Sequence, residues 1–277
     1  MTFLDTIRGV IARRVLLNYR IDPDALADAI PAPFRPKLYR GRGIGGVCMI
    51  RFRGLRPGFM PSWVGMSSEN AAHRIAVEWD EDGERREGVF IPRRDTNSWF
   101  NNAFGGLVFP GIFNGSVFET REEEGSVAVR IVRGDGGEEL AFSGRPAQAL
   151  PSSSIFPSLA EAAGFFSMGA TGYSATRREG HYHGMELKSL SWNIDPLDVV
   201  YARSCFFDDA DRFPPGTVEL DCALVMREVD HEWHSRPDLY AARAPGGLTK
   251  HRNSPVVGGA GERVGGRRGR AESAETE

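Results

Sequence analysis

Ser68-Glu69-Asn70-Ala71-Ala72-His73-Arg74-Ile75-Ala76-Val77-Glu78-Trp79 is followed by Asp80-Glu81-Asp82-Gly83 and then by Val89-Phe90-Ile91-Pro92. In the first run the large apolar and aromatic groups fall on positions 73, 75, 77 and 79. Side chains on a strand alternate between faces, so this period of two marks Arg74–Trp79 as a strand with one face inward. The acidic, glycine-ended cluster breaks it, and Val89–Pro92 reads as the returning strand. Two strands joined by such a break form an antiparallel hairpin.

The same pattern extends in both directions. Upstream, Val10–Tyr19 and Gly45–Phe52 are β-branched or alternating runs. Downstream come Ile112–Glu119, Val127–Val132, Glu139–Ser143, Leu187–Ile194, Val199–Phe207 and Val218–Val229. Turn clusters such as Arg133-Gly134-Asp135-Gly136-Gly137 separate many of them, as in a meander of hairpins. Helix signals are few. Asp22 caps a short helix with Pro23 at its first position and an end near Ile30. Asp95 or Thr96 caps a second through Trp99 and Phe104, and Ser158 a third through Phe166. The expected class is α+β, mainly antiparallel β, with a barrel or strongly curved sheet.

The 277 residues suffice for one large domain, with 41% hydrophobic and 26% charged residues. Residues 1–244 are read as that domain. From Pro245 to Glu277 the chain is Gly/Arg-rich and then acidic, without apolar periodicity, and is expected to be a disordered tail. A net charge of −3 gives no reason to expect nucleic acid or an anionic membrane as partner. No apolar stretch approaches the roughly 18 residues of a membrane span. Cys48, Cys205 and Cys222 are far apart in apolar contexts, which suits reduced thiols in a cytoplasm. The only lysines are Lys37, Lys188 and Lys250, so lysine chemistry has few places to occur.

Several motifs fail on context. Gly41-Arg42-Gly43-Ile44-Gly45-Gly46 matches G-x-G-x-x-G but is followed by a strand, which makes it a glycine-rich hairpin turn instead of a dinucleotide site. No nucleophile elbow or phosphate loop is present. His181 and His183 share a face on a strand, whereas His231 and His234 would share one only on a helix. These spacings close no metal-ligand set, so no metal and no other cofactor is expected.

Four arginines and two further residues carry the site expectations. Arg93 and Arg94 follow the strand end at Pro92 and precede a helix cap, an arrangement suited to a small anion, since guanidinium groups grip carboxylates bidentately. Glu69 shares the inward parity of His73 and needs a buried cationic partner. Arg51 and Arg74 join the candidate anion binders, although Arg74 also shares a face with Glu78, where a surface ion pair would suffice. Lys188 shares parity with Leu190, Trp192 and Ile194. Burial there would lower its pKa and make it a nucleophile; a lysine reaching solvent along its stem is the plainer expectation.

Asp22-Pro23-Asp24-Ala25-Leu26 with Ile30-Pro31, the Glu69…Arg74 segment, Gly88-Val89-Phe90 and the strand from Leu187 to Trp192 together resemble the bacterial domain-of-unknown-function family 2071. That family is similar to acetoacetate decarboxylase, and the resemblance runs over most of residues 8 to 235. It implies a cone-like antiparallel barrel with short helices, an internal pocket and a homo-oligomer. Acetoacetate decarboxylases carry a Schiff-base lysine in a glycine-aromatic-proline-lysine-lysine motif. The corresponding stretch here is Pro92-Arg93-Arg94, and arginine cannot form that imine.

Three functions follow. The first is an enzyme on a small carboxylate or keto compound, with arginine stabilising the anion and Glu69 moving the proton. The second is a non-catalytic binding protein for a small anionic molecule. The third relocates the imine to Lys188.

Overall fold

A computed structural model of the chain describes residues 6–98, 111–189 and 191–241. Among them are β1 (Thr6–Ile21), α1 (Pro23–Ala29), β2 (Arg35–Pro36), β3 (Leu38–Tyr39), β4 (Arg42–Pro57), β5 (Met66–Glu81), β6 (Glu84–Thr96) and β7 (Phe113–Glu123). The chain continues through β8 (Ser126–Arg133), β9 (Glu138–Pro146), α2 (Leu159–Ser167), β10 (Thr171–Ala175), β11 (His181–Ser189), β12 (Asp195–Ser204) and β13 (Val218–Tyr240). A 3₁₀ turn covers Ser62–Val64. The expected α+β architecture with a mainly antiparallel sheet is present. The tail and the helix expected over Trp99–Phe104 lie outside the described residues.

The deciding hairpin is β5–β6, in register from Glu81↔Glu84 back to Asn70↔Thr96. Its loop is Asp82-Gly83, both at positive φ (53° and 77°), the two-residue turn whose twist matches that of paired strands. The glycine-rich turn is shorter than the motif suggested. Only Arg40-Gly41 turns (φ 48° and 77°), and Gly43–Gly46 already belong to β4.

The strands form one sheet in the order β11-β10-β6-β7-β8-β9-β12-β13-β1-β4-β5-β2, with further pairings β11–β13 and β6–β5 and with β3 on β4. β6 pairs in parallel with two strands, β10 at residues 89–91 and β7 at residues 94–96. Those two strands therefore share one edge of β6 and diverge around Pro92.

β1, β4 and β5 are buried on both faces, which explains their near-continuous apolar character. One face carries Val15, Leu17, Val47, Met49, Ile75 and Val77. The other carries Leu16, Cys48 and Ile50 and is covered by Ala162 and Phe166 of α2. Asp22 caps α1 by accepting from the N–H groups of Asp24 and Ala25 (3.0 and 3.2 Å). Ser158 caps α2 through the N–H of Glu161 (3.2 Å).

Three sequence expectations change. The strand placed at Val89–Pro92 continues to Thr96. Asp95 therefore binds Arg93 within the strand, and Arg93 and Arg94 stand on β6 itself, before its end at Thr96. β11 ends at Ser189, with residues 191–194 outside regular structure. Parity through Trp192 and Ile194 therefore says nothing about Lys188. β12 ends at Ser204, and Phe206 and Phe207 are buried in the turn that follows.

Candidate functional site

The expected site residues separate into three places. The first is a closed ion-pair group. Glu69 is buried, as its parity required. Its carboxylate accepts from Arg13 (2.6 Å) and Arg51 (2.5 Å). The same two arginines hold Glu122 at 2.9 and 2.7 Å. Two guanidinium groups thus balance two carboxylates. Arg51, expected to bind a ligand, is held by protein acids.

The second place surrounds Arg93, which donates from Nε and NH2 to Asp95 (3.0 and 2.8 Å). Glu139 lies 3.3 Å from Arg93, 3.6 Å from Arg133 and 3.6 Å from His73 Nε2. Burial raises the Glu139 pKa, against the pull of Arg93. Burial also lowers that of fully enclosed His73 to about 4. Arg93 and Glu139 border an open polar depression of about 550 Å³, with Pro92, Arg133, Cys205 and Arg212 on its rim. Its arginines are all matched with acids, Arg212 with Asp209 at 3.8 Å.

The third place differs in kind. Arg14, Arg74 and Arg94 line a narrower cavity of about 70 Å³. Its remaining wall is largely apolar and includes Ile50, Phe52, Ile91, Met185, Leu187 and Trp233. Arg94 donates from Nε and NH2 to Ser174 Oγ (3.1 and 3.0 Å) and lies over the Phe113 ring. Arg74 donates to Asn18 Oδ1 and lies over Phe166. Arg14 donates to Cys48 Sγ (3.0 Å) and lies over Trp192.

Among the described residues, none of these three guanidinium groups has a carboxylate partner. Arg14 NH1 and Arg74 Nε are buried without any hydrogen-bond acceptor among those residues. Burial pulls the pKa of both Arg74 and Arg94 down to about 10. Both remain protonated at neutral pH. The direction records a positive charge short of solvation, and an anion in the cavity would supply it.

Local sequence explains the sorting. Arg13-Arg14 and Arg93-Arg94 are adjacent pairs on strands, so each sends one guanidinium to each face of the sheet. On β6 a bulge sits between the pairs Ile75↔Phe90 and His73↔Arg93. Ile91 and Pro92 together oppose Arg74, and proline's missing N–H is tolerated at such a place.

Arg74 does not pair with Glu78, which binds Arg85 and Arg35 instead. The face assumed to meet solvent lies beneath α2. Arg14 was not singled out in the sequence, although its alternation with Leu16 carried the signal. Lys188 is exposed, across from Glu232 on β13, and does not border the cavity. His231 is buried against Phe52, and His234 binds Glu232 at 3.0 Å. His181 and His183 do share a face.

A family model described as an uncharacterized conserved protein, the domain of unknown function 2071, matches residues 11–204. The chain belongs to this family. No curated protein matches the family 2071 chain. Among solved structures it is similar to an acetoacetate decarboxylase from Legionella pneumophila, with 11% identity and a TM-score of 0.57, over 84% of this chain and 87% of that one. It is similar to an acetoacetate decarboxylase-like enzyme from Sphingomonas wittichii RW1, with 13% identity, a TM-score of 0.51 and coverage of 85% and 91%. The enduracididine biosynthesis enzyme MppR, complexed with pyruvate, gives 10% identity, a TM-score of 0.53 and coverage of 86% and 90%. At these identities the family 2071 chain shares a fold with these enzymes, and the fold alone. Among the described residues, no helix is long and apolar enough to cross a membrane.

Proposed function

We propose that this protein binds a small organic carboxylate or keto acid in the cavity of Arg14, Arg74 and Arg94. The observation that carries the reading is three guanidinium groups, without carboxylate partners among the described residues, around a mainly apolar space. Placing unmatched charge in apolar surroundings costs several kcal/mol, and a bound anion offsets that cost. A volume near 70 Å³ is several times the roughly 10–15 Å³ that one water needs, enough for a small acid. The apolar wall suits a short hydrocarbon body. MppR, of similar fold, takes up pyruvate, a small keto acid, which supports the same ligand class.

Binding without chemistry is the favoured form of this reading. The described lining of the cavity includes no carboxylate, histidine or lysine to move a proton or form an imine. Glu69 belongs to a separate ion-pair group, and Pro92-Arg93-Arg94 has no imine-forming amine. We also retain a cone-like barrel, formed where the strand order returns through β5–β6 and β11–β13, a cytoplasmic setting for the three free cysteines, and a homo-oligomer as parts of the proposal.

The test is thermal unfolding against pyruvate, acetoacetate and longer keto acids, with mass spectrometry of the ligand afterwards. At about 100 times its dissociation constant a ligand stabilises the fold by roughly 2.7 kcal/mol. The shift is expected to vanish in Arg94→Ala and Arg74→Gln and to survive in Arg212→Ala, with the ligand recovered intact. A shift that persists in both cavity variants rejects this site; consumption of the ligand rejects the non-catalytic form.

A further inference from the structure

Away from both pockets, β11 and the end of β13 bring two imidazoles and a carboxylate together. His181 and His183 are two apart on β11 and face the same way, with ring centroids 4.7 Å apart. Across from them β13 carries Asp238 and Tyr240. The register runs His181↔Tyr240 and Tyr182↔Leu239, then shifts so that Gly184 meets Arg236. The additional residue falls at Pro237, the sort of place where a strand tolerates proline. Asp238 is thereby set opposite His183 and diagonal to His181. Its Oδ1 is 3.0 Å from His183 Nδ1 and its Oδ2 is 2.8 Å from His181 Nε2. The offered nitrogen and oxygen atoms all lie within 4.8 Å of one another.

The other side of His181 is informative. Its Nδ1 is 3.4 Å from Thr176 Oγ1. That hydroxyl directs its hydrogen to a backbone carbonyl, of His181 (2.9 Å) or Arg178 (3.0 Å). Toward the imidazole it is therefore an acceptor and favours the hydrogen on Nδ1. A neutral His181 in that tautomer turns the lone pair of Nε2 at a carboxylate oxygen. Lone pair against lone pair is repulsive, so either a proton or a metal cation belongs between them, and the second imidazole of His183 on the same carboxylate favours the metal. A ligating histidine with its second nitrogen fixed by an outer oxygen is the usual arrangement at protein metal centres.

From this juxtaposition we propose that His181, His183 and Asp238 bind one divalent transition-metal ion, of the zinc type. Two imidazoles and one carboxylate suit zinc, nickel or copper far better than calcium or magnesium. The ligands are part-exposed, at 15%, 35% and 32% of their side-chain surfaces, so water fills the remaining positions. Tyr240 stacks on the His181 ring at 4.7 Å and 7° and shields one side. The ion pins the last residues of β13 to β11 beyond the Pro237 bulge.

The experiment uses the full chain, stripped with a chelator, and titrates Zn²⁺ by calorimetry and Co²⁺ by visible absorption. One equivalent of Zn²⁺ is expected, with Co²⁺ d–d bands in the visible. His183→Ala and Asp238→Asn are each expected to weaken binding at least tenfold and abolish the bands. His234→Ala should leave both unchanged. Asp238→Asn keeps size and strand register, and circular dichroism checks that it folds. Absence of stoichiometric binding by the parent protein, or unaltered binding by folded Asp238→Asn, overturns the site.

Discussion

Arg93 and Arg94 are consecutive in the chain and opposite in circumstance. Arg93 grips Asp95 through two hydrogen bonds on one face of β6. Arg94 reaches only the hydroxyl of Ser174 on the other face, with no acid beside it among the described residues.

Their removal is expected to act in opposite directions. Arg93→Met leaves Asp95 and Glu139 buried without their main cation and should cost about 3 kcal/mol. Arg94→Met removes a buried charge that has no acidic partner and replaces it with matching apolar volume. It should be neutral or stabilising by about 1 kcal/mol in ligand-free protein. Urea unfolding of the two variants decides this, and equal destabilisation would refute the contrast.

Acid sensitivity should come early. His73 and His231 are both held by burial at a pKa of about 4, below the ordinary histidine value of 6.5. The unfolded chain therefore takes up protons that the folded chain refuses. Their contribution is complete above pH 6.5 and is lost as the pH falls from 6.5 toward 4, at about 1.4 kcal/mol per pH unit for each. Glu139, raised by burial, works the other way over the acidic end of that window. Unfolding free energies at pH 7 and pH 5 should differ less in His73→Gln than in the parent. An identical difference would show that His73 is not the buried neutral group.

Gly46 sits where Asn18 crosses to Arg74. A Cβ there would stand 2.3 Å from the Leu17 carbonyl oxygen and 3.3 Å from Asn18 Oδ1. Gly46→Ala must therefore push β1 and β4 apart, at roughly 1–3 kcal/mol, and disturb the oxygen that holds Arg74. A lower Tm together with weaker carboxylate binding is expected; a lower Tm with binding untouched would separate Arg74 from the ligand.

Lys188 is expected to resist reductive trapping. It is exposed on β11, across from Glu232 of β13, and does not border the apolar cavity. Borohydride with pyruvate or acetoacetate should leave its peptide mass unchanged. A labelled Lys188 would restore the imine reading.

The β architecture was legible because period-two runs and turn clusters are local. Val10–Tyr19, Gly45–Phe52 and Val127–Val132 all lie within strands of the structure. Asp22 and Ser158 cap as their chemistry requires. Glu69 was readable as buried from parity alone. What local reading could not reach was the pairing across the sheet. Arg13 lies 56 positions from Glu69, and Asp238 lies 57 from His181. Arg74 looked like a surface partner for Glu78 because nothing nearby in sequence announces that α2 covers it. The parity argument for burying Lys188 failed because its strand stops at Ser189, and the plainer expectation of a lysine reaching solvent is what the structure has.

The bulge at Ile91-Pro92 sets which way each of these two arginines faces. Side-chain direction along β6 depends on whether the count of residues before Arg93 is odd or even. With the same residues and no bulge, plain alternation from Phe90 would exchange Arg93 and Arg94 between the acid-matched depression and the apolar cavity. Because both residues are arginine, each face keeps one guanidinium, and the bulge decides which of the two stands on it.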